Sequence, residues 1–383
     1  MADAGARRAL GAPAPELTQL SLRALNRATL ARQLLLAREA IPVPEALERV
    51  GGLQAQEPKP PFAALWSRIE GFAREDLLAA LHDRTAVRAT LMRATLHTMS
   101  AADVAELRPA LQPMLTQALR VLGDRAEGLD SAGALKAARK ALKDGPRTAA
   151  ELRDALGEAF PDADVRALGY AVRTQLPLVM VPTEDRWGFP ASARFTMAEE
   201  WLGRPLKNPG PEAVVLRHLA AFGPATAADV QTWSGLGGLK PVLEALRPKL
   251  ATFRDEGGRE LFDLPDAPRP DEDVPAPARF LPEFDSLMLA HADRTRVVAE
   301  EHRKGLVTKN LRVRAVFLWD GFAAGTWTSV RKGKAAEITA VPFARLPKGA
   351  TAALREEGEA LLAFLEPDAS ARKVTVTRPG APT

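Results

Sequence analysis

Gly145-Pro146-Arg147-Thr148-Ala149-Ala150-Glu151-Leu152 recurs 78 residues later as Gly223-Pro224-Ala225-Thr226-Ala227-Ala228-Asp229-Val230. Both copies read as a Gly-Pro break, a Thr that caps a helix, and an acid three residues on to complete a capping box. A helix is expected before each copy, Ala132 to Lys143 and Pro211 to Phe222, and another after it, Asp164 to Gln175 and Leu239 to Lys249. Each set then turns to β: Leu178 to Val181 with Trp187-Gly188-Phe189, and Ala251 to Arg254 with Glu260 to Asp263 across Gly257-Gly258.

Three helices and a hairpin in about seventy residues is the winged-helix plan, which grips DNA with its third helix and its hairpin. A more divergent third copy opens the chain: Leu22 to Ala37, Pro44 to Val50, Phe62 to Glu70 and Glu75 to Asp83, then one alternating strand from Ala89 to Thr98. After a Pro- and Asp-rich linker, Pro265 to Pro275, strands are expected at 313–319, 325–330, 336–341 and 373–377, with a helix at 351–365. The fold class is mainly α with β (α+β): winged-helix modules at 15–125, 126–205 and 206–268, and a β-rich, barrel-like C-terminal domain at 276–383.

The chain has 383 residues, 46% apolar and 26% charged, as expected of a water-soluble globular protein of several domains. With no apolar run of membrane-spanning length and no secretory signal at Met1 to Arg8, it reads as cytoplasmic and bacterial, without a membrane partner. Cysteine is absent, which excludes disulfides, thiolate metal sites and thiol nucleophiles. The five histidines form no HxxxH or HExxH pair, and neither a Walker loop nor a strand-linked GxGxxG is present. No cofactor and no metal are expected.

The net charge is +4, but residues 303–334 alone hold +7, from Arg303, Lys304, Lys309, Arg312, Arg314, Arg331, Lys332 and Lys334 against Asp320. Such a segment reads either as a polyanion-binding surface or as a solvated hairpin whose cations guard a sheet edge.

In the opening copy, Gly51-Gly52-Leu53-Gln54-Ala55-Gln56-Glu57-Pro58 stands where the other copies need only a turn. In extended backbone, residues i and i+2 share a face, so Gln54 and Gln56 can aim two carboxamides at one spot while Ala55 and Glu57 point away. On the alternating strand, Arg93, Thr95 and His97 share a face, with His97 either a core or a DNA-facing residue. Asp285, with Asp293 and Arg294, reads as an ion-pair and turn network in which His291 and Arg294 could reach DNA. Trp66 reads as core.

Taken with Leu65-Trp66-Ser67-Arg68-Ile69, Leu91-Met92-Arg93-Ala94-Thr95-Leu96-His97, Leu281-Pro282-Glu283-Phe284-Asp285-Ser286-Leu287 and His291-Ala292-Asp293-Arg294, the Gln motif makes the whole chain resemble the bacterial AlkZ/YcaQ-type winged-helix DNA glycosylases. The resemblance implies a C-shaped assembly that holds DNA in its concave face. It also implies excision of alkylated purines, unhooking of interstrand crosslinks, and in some relatives protection of a producer against its own DNA-alkylating antibiotic. The Gln-hydrophobic-Gln signature is that of the AlkZ branch, which gives Gln54 and Gln56 the catalytic role. DNA contacts are expected from Arg93, Thr95, His97, His291, Arg294, Arg331, Lys332 and Lys334. The expected partner is alkylated or crosslinked duplex DNA, bound by a monomer. The competing function is a non-catalytic winged-helix DNA-binding regulator.

Overall fold

The computed structural model describes residues 17–308 and 312–380, so Lys309 lies outside the described residues. The chain begins with β1 (Gln19–Leu20) and α1 (Leu22–Arg32), the helix being capped by Ser21, whose Oγ accepts the Ala24 N–H. The opening copy follows as α2 (Val43–Arg49), β2 (Leu53–Gln54), α3 (Pro60–Trp66), α4 (Arg74–His82), β3 (Ala86–Thr90) and β4 (Leu96–Ser100). After α5 (Ala101–Ala110) and α6 (Gln112–Gln117) comes the second copy: α7 (Ser131–Lys143), β5 (Arg147–Thr148), α8 (Ala149–Ala159), α9 (Val165–Gln175), β6 (Leu178–Val181) and β7 (Arg194–Met197). Past α10 (Ala198–Leu202), the third has α11 (Pro211–Phe222), a one-residue bridge Ala225–Phe262, α12 (Ala227–Ser234), α13 (Lys240–Leu246), β8 (Ala251–Asp255) and β9 (Glu260–Asp263). Helix, strand, helix, helix, hairpin is thus written three times.

Thr148 and Thr226 cap α8 and α12 as the repeat requires. Each hydroxyl accepts the N–H three residues on, and Glu151 and Asp229 return the bond to the Thr N–H. The first two copies share one sheet of order β2-β4-β3-β6-β7-β5, joined at an antiparallel seam where Arg88 faces Met180 and Ala89 faces Val179. Below it, Val87, Ala89, Met99 and Val179 pack in the same core as Val215, Leu219, Phe222 and Trp233 of the third copy.

α1 ties the opening copy to the third copy and to the last region. Arg32 makes a buried two-pronged ion pair with Asp263 at 2.7 and 2.8 Å, Asn26 binds the carbonyls of Arg296 and Gly321, and Arg23 and Arg27 hold Asp320. The Pro-rich segment is laid against the same helix, with the Glu272 and Val274 carbonyls accepting from Arg23 and Arg27.

The last region contains β10 (Arg279–Leu281), α14 (Glu300–Leu306), β11 (Val316–Trp319), β12 (Phe322–Lys332), β13 (Ala335–Pro342), α15 (Ala350–Leu365) and β14 (Ala371–Val376). Its strands lie in order β10 to β14, all antiparallel except the last pair. The barrel expectation is corrected: among the described residues no pairing joins β10 to β14, and α15 packs against both edge strands of an open sheet.

Two further readings are corrected. The stretch from Ala89 to Thr98 is not one strand but the two sides of a hairpin, reversed where Arg93 (φ 54°) and Ala94 (φ 57°) both enter the left-handed region. Alternation persists on each side of the turn, so the pattern alone hid it. Trp187 to Phe189 is loop, and the strand that pairs with β6 is β7. Those aromatics pack elsewhere: Trp187 meets Phe62 edge-on at 5.0 Å, and Phe189 lies under the Arg88 guanidinium.

Candidate active site

The Gln motif is carried by a tight approach. Gly51 and Gly52 have φ of 71° and 80°, and a Cβ on Gly52 would fall 2.5 Å from the Met99 side chain, so a larger residue has neither the backbone nor the room. Ser286 donates to the Gly52 carbonyl at 3.2 Å, which ties the turn to the segment after β10. β2 then pairs with β4, setting Leu53 opposite Thr98 and Gln54 opposite His97, and the Ala55 N–H reaches the Leu96 carbonyl at 2.7 Å.

Beyond Ala55 the chain leaves the sheet, and Arg88 takes over from the missing strand neighbour. Its Nε donates to the Ala55 carbonyl at 2.9 Å and its Nη2 to the Gln56 carbonyl at 3.1 Å. Among the described residues no carboxylate pairs with this buried guanidinium; burial lowers its pKa to about 10, against the weaker pull of Glu57. Desolvating a cation to hold two carbonyls is a costly way to fix a loop. Sequence reasoning passed over Arg88, although a lone charge inside Ala86-Val87-Arg88-Ala89 was the available signal.

Both carboxamides turn to the β3–β4 hairpin turn. The Gln54 Oε1 accepts from Arg93 Nη2 at 2.9 Å, and the Gln56 Oε1 accepts the Leu96 N–H at 2.8 Å. Gln54 is 7% exposed, whereas Gln56 is open to solvent. Each oxygen keeps a second lone pair, and each amide nitrogen remains without a protein partner among the described residues.

Arg93 reaches across copies, its second arm donating to the Trp233 carbonyl while Gly235 lets the turn pack closely. Its pKa is lowered to about 10, mainly by burial and then by Arg294. Arg294 is itself pushed down by burial and then by Arg303, and its Nε has no partner. Neither Arg93 nor Arg294 pairs with an acid among the described residues, and the two guanidiniums are near enough for Arg294 to depress Arg93. Thr95 bonds the Met92 carbonyl at 3.0 Å and locks the same turn.

The histidines fare differently. His97 is 0% exposed, its pKa lowered to about 3 by burial and then by Arg93, with Nδ1 against the Thr95 carbonyl and Nε2 without a partner. His291 is 1% exposed and held on the Phe222 carbonyl beside His218. Both are core residues, and neither offers surface to a duplex here. Asp285 forms a fully buried, two-pronged pair with Arg68 at 2.9 Å on each arm, joining two of the motif blocks, while Asp293 pairs with Arg259. Trp66 stacks on Phe364.

The basic segment is partly neutralised. Arg331 pairs with Glu366 at 2.9 Å, Arg312 with Glu283 at 2.6 Å, and Arg303 with Glu300. Lys332 and Lys334 are exposed at the β12–β13 turn with no ion pair among the described residues. Also among these residues, no cluster of His, Asp or Glu could hold a metal, and no helix is long and apolar enough to cross a membrane.

The site is a pair of amides, one buried and one open to solvent, braced by Arg88 and Arg93 on a backbone of repeated helix-helix-hairpin units. The sequence model of the AlkZ-like DNA glycosylases matches residues 47–364, and the chain belongs to that family. Among solved structures it is similar to the Streptomyces sahachiroi DNA glycosylase AlkZ, with a TM-score of 0.76 over 94% of this chain and 100% of that one. At 20% identity this is a likeness of fold. Comparison with curated proteins gives no match.

Proposed function

We propose that this DNA glycosylase is a monofunctional monomer that hydrolyses the N-glycosidic bond of N7-alkylated purines, bulky and crosslinked adducts included. Its three repeats act as winged-helix modules at 15–125, 126–205 and 206–268, arranged with the 276–383 domain as a C that holds duplex DNA. The observation that carries this reading is the shared anchorage of Gln54 and Gln56 on one turn, whose Arg93 guanidinium has no acid partner among the described residues.

Alkylation at N7 makes the base cationic and a good leaving group, so no strong general acid is needed. What remains is to place a water under C1′ and to steady the developing oxocarbenium. The Gln54 amide, its plane fixed by Arg93, presents its NH2 to the water oxygen. The spare lone pair of Gln56 accepts a hydrogen bond from that water and faces the sugar; as the water oxygen bonds to C1′ and the N-glycosidic bond breaks, the base leaves neutral and the water proton passes to solvent. Neutral amides are weak bases, which restricts the reaction to lesions already charged and spares normal DNA. Arg93 and Arg294 take flanking phosphates, as do Lys332 and Lys334 farther out. Water is the nucleophile, and Lys59, the lysine nearest the motif in sequence, is paired with Glu366 at 3.5 Å.

The test is release of N7-methylguanine from duplex DNA, scored as abasic sites. Wild-type protein should release it, and Gln54→Ala/Gln56→Ala should bind the duplex and not release it. Unchanged turnover in the double variant would end this assignment, and binding without any release by wild type would favour the regulator.

A further inference from the structure

One residue past Gln56, the loop becomes the wall of a cleft of about 430 Å³ between the start of α3 and the face of β12. Ala63, Leu365 and the Trp327 indole form its apolar side, and Glu57, Glu283 and Arg312 its rim. The indole is fixed by its own N–H, which donates to the Leu281 carbonyl at 2.8 Å. Arg312 spans the mouth, pairing with Glu283 at 2.6 Å and Glu57 at 3.5 Å, and with Lys59, which also lines the cleft, the two acids and two bases balance. This volume lies within the range of about 300–1,000 Å³ typical of small-molecule sites, far more than a methyl group fills.

N7 and N9 belong to the same five-membered ring of a purine. A substituent on N7 therefore starts within a few bond lengths of the bond being broken, and Glu57 stands about 3.8 Å along the chain from Gln56. Resting on the glycosylase reading above, we infer that this cleft is the subsite for the substituent on the leaving base, and that it takes bulky, largely apolar, uncharged groups. Thr328 and Ser329 on β12 also line it and set the size it admits. Gln54 and Gln56 then define the bond cut, while β12 defines the lesion chosen.

Filling the cleft tests this. Thr328→Trp, and separately Ser329→Phe, should lower excision of a bulky apolar N7 adduct by about tenfold or more and leave N7-methylguanine release within about twofold. Retained methylguanine release also reports that the variant is folded. Equal loss on both substrates in both variants, or no loss on either, overturns the subsite. If wild-type protein releases neither base, the glycosylase reading fails first and the subsite with it.

Discussion

The same junction, from short strand to second helix, is built in two ways in this molecule. In the second and third copies the strand runs straight into the helix: Thr148 and Thr226 cap α8 and α12 with reciprocal boxes that satisfy both the Thr N–H and the N–H three residues on. In the opening copy five residues, Ala55 to Lys59, separate β2 from α3, and Lys59 at the start of that helix supplies no side-chain cap. A self-satisfied junction stabilises and is chemically inert. The open one gives up its cap, needs Arg88 from a neighbouring strand to hold it, and leaves amide groups free to act on something else.

The sharpest way to break this comparison is Gln54→Ala. Losing one preorganised polar contact should cost about a hundredfold in excision rate, with a loss of stability, followed by melting temperature, no larger than one unpaired Arg93 donor explains, about 1–3 kcal/mol. A larger loss of stability would mean that the open junction is structural after all. Next in size, Arg88→Lys keeps the charge but not the fork that meets two carbonyls, so kcat should drop about tenfold while duplex affinity holds. Parallel losses of affinity and rate would show that Arg88 supports the module and not the loop.

Acid should find the two kinds of copy equally vulnerable, because buried His97 in the first and His218 in the third have folded pKa values of about 3 and about 4. Both lie below the ordinary value of about 6.5, so the unfolded chain takes up protons first. Stability is full above that value and declines as pH falls from it toward the folded values. Chemical denaturation at pH 7 and pH 5 should show the decline, and His97→Gln should shrink it. A flat profile would contradict the buried neutral imidazoles.

The converse of the first experiment is Thr148→Ala or Thr226→Ala, each expected to cost about 1 kcal/mol of stability and to leave excision untouched. The smallest effect concerns the periphery: neutralising Lys332 and Lys334 should lower the salt slope of duplex binding by about two. Adding Arg331→Gln should change it little further, since Glu366 already engages that guanidinium.

What was legible in the sequence was local. The Gly-Pro-x-Thr repeat gave caps and helix starts, and i, i+2 spacing put Gln54 and Gln56 against one turn. What escaped was set by distant partners. The β3–β6 seam leaves no mark on either strand, and so Arg88 looked like an isolated charge. Near-alternation from Ala89 to Thr98, broken at Leu91-Met92, concealed a reversal at two left-handed residues. Trp187 and Phe189 resembled strand residues because both strands and aromatic packing favour the same side chains.

The shared six-stranded sheet bears on solubility. Separated, the first two copies would each expose one bare strand, β3 or β6, a template on which other chains could pair and precipitate. Joined, each shields the other's edge. The first two copies are therefore expected to stay soluble only as a pair, and the opening copy, whose α3 has no side-chain cap, draws support from its neighbour through the seam.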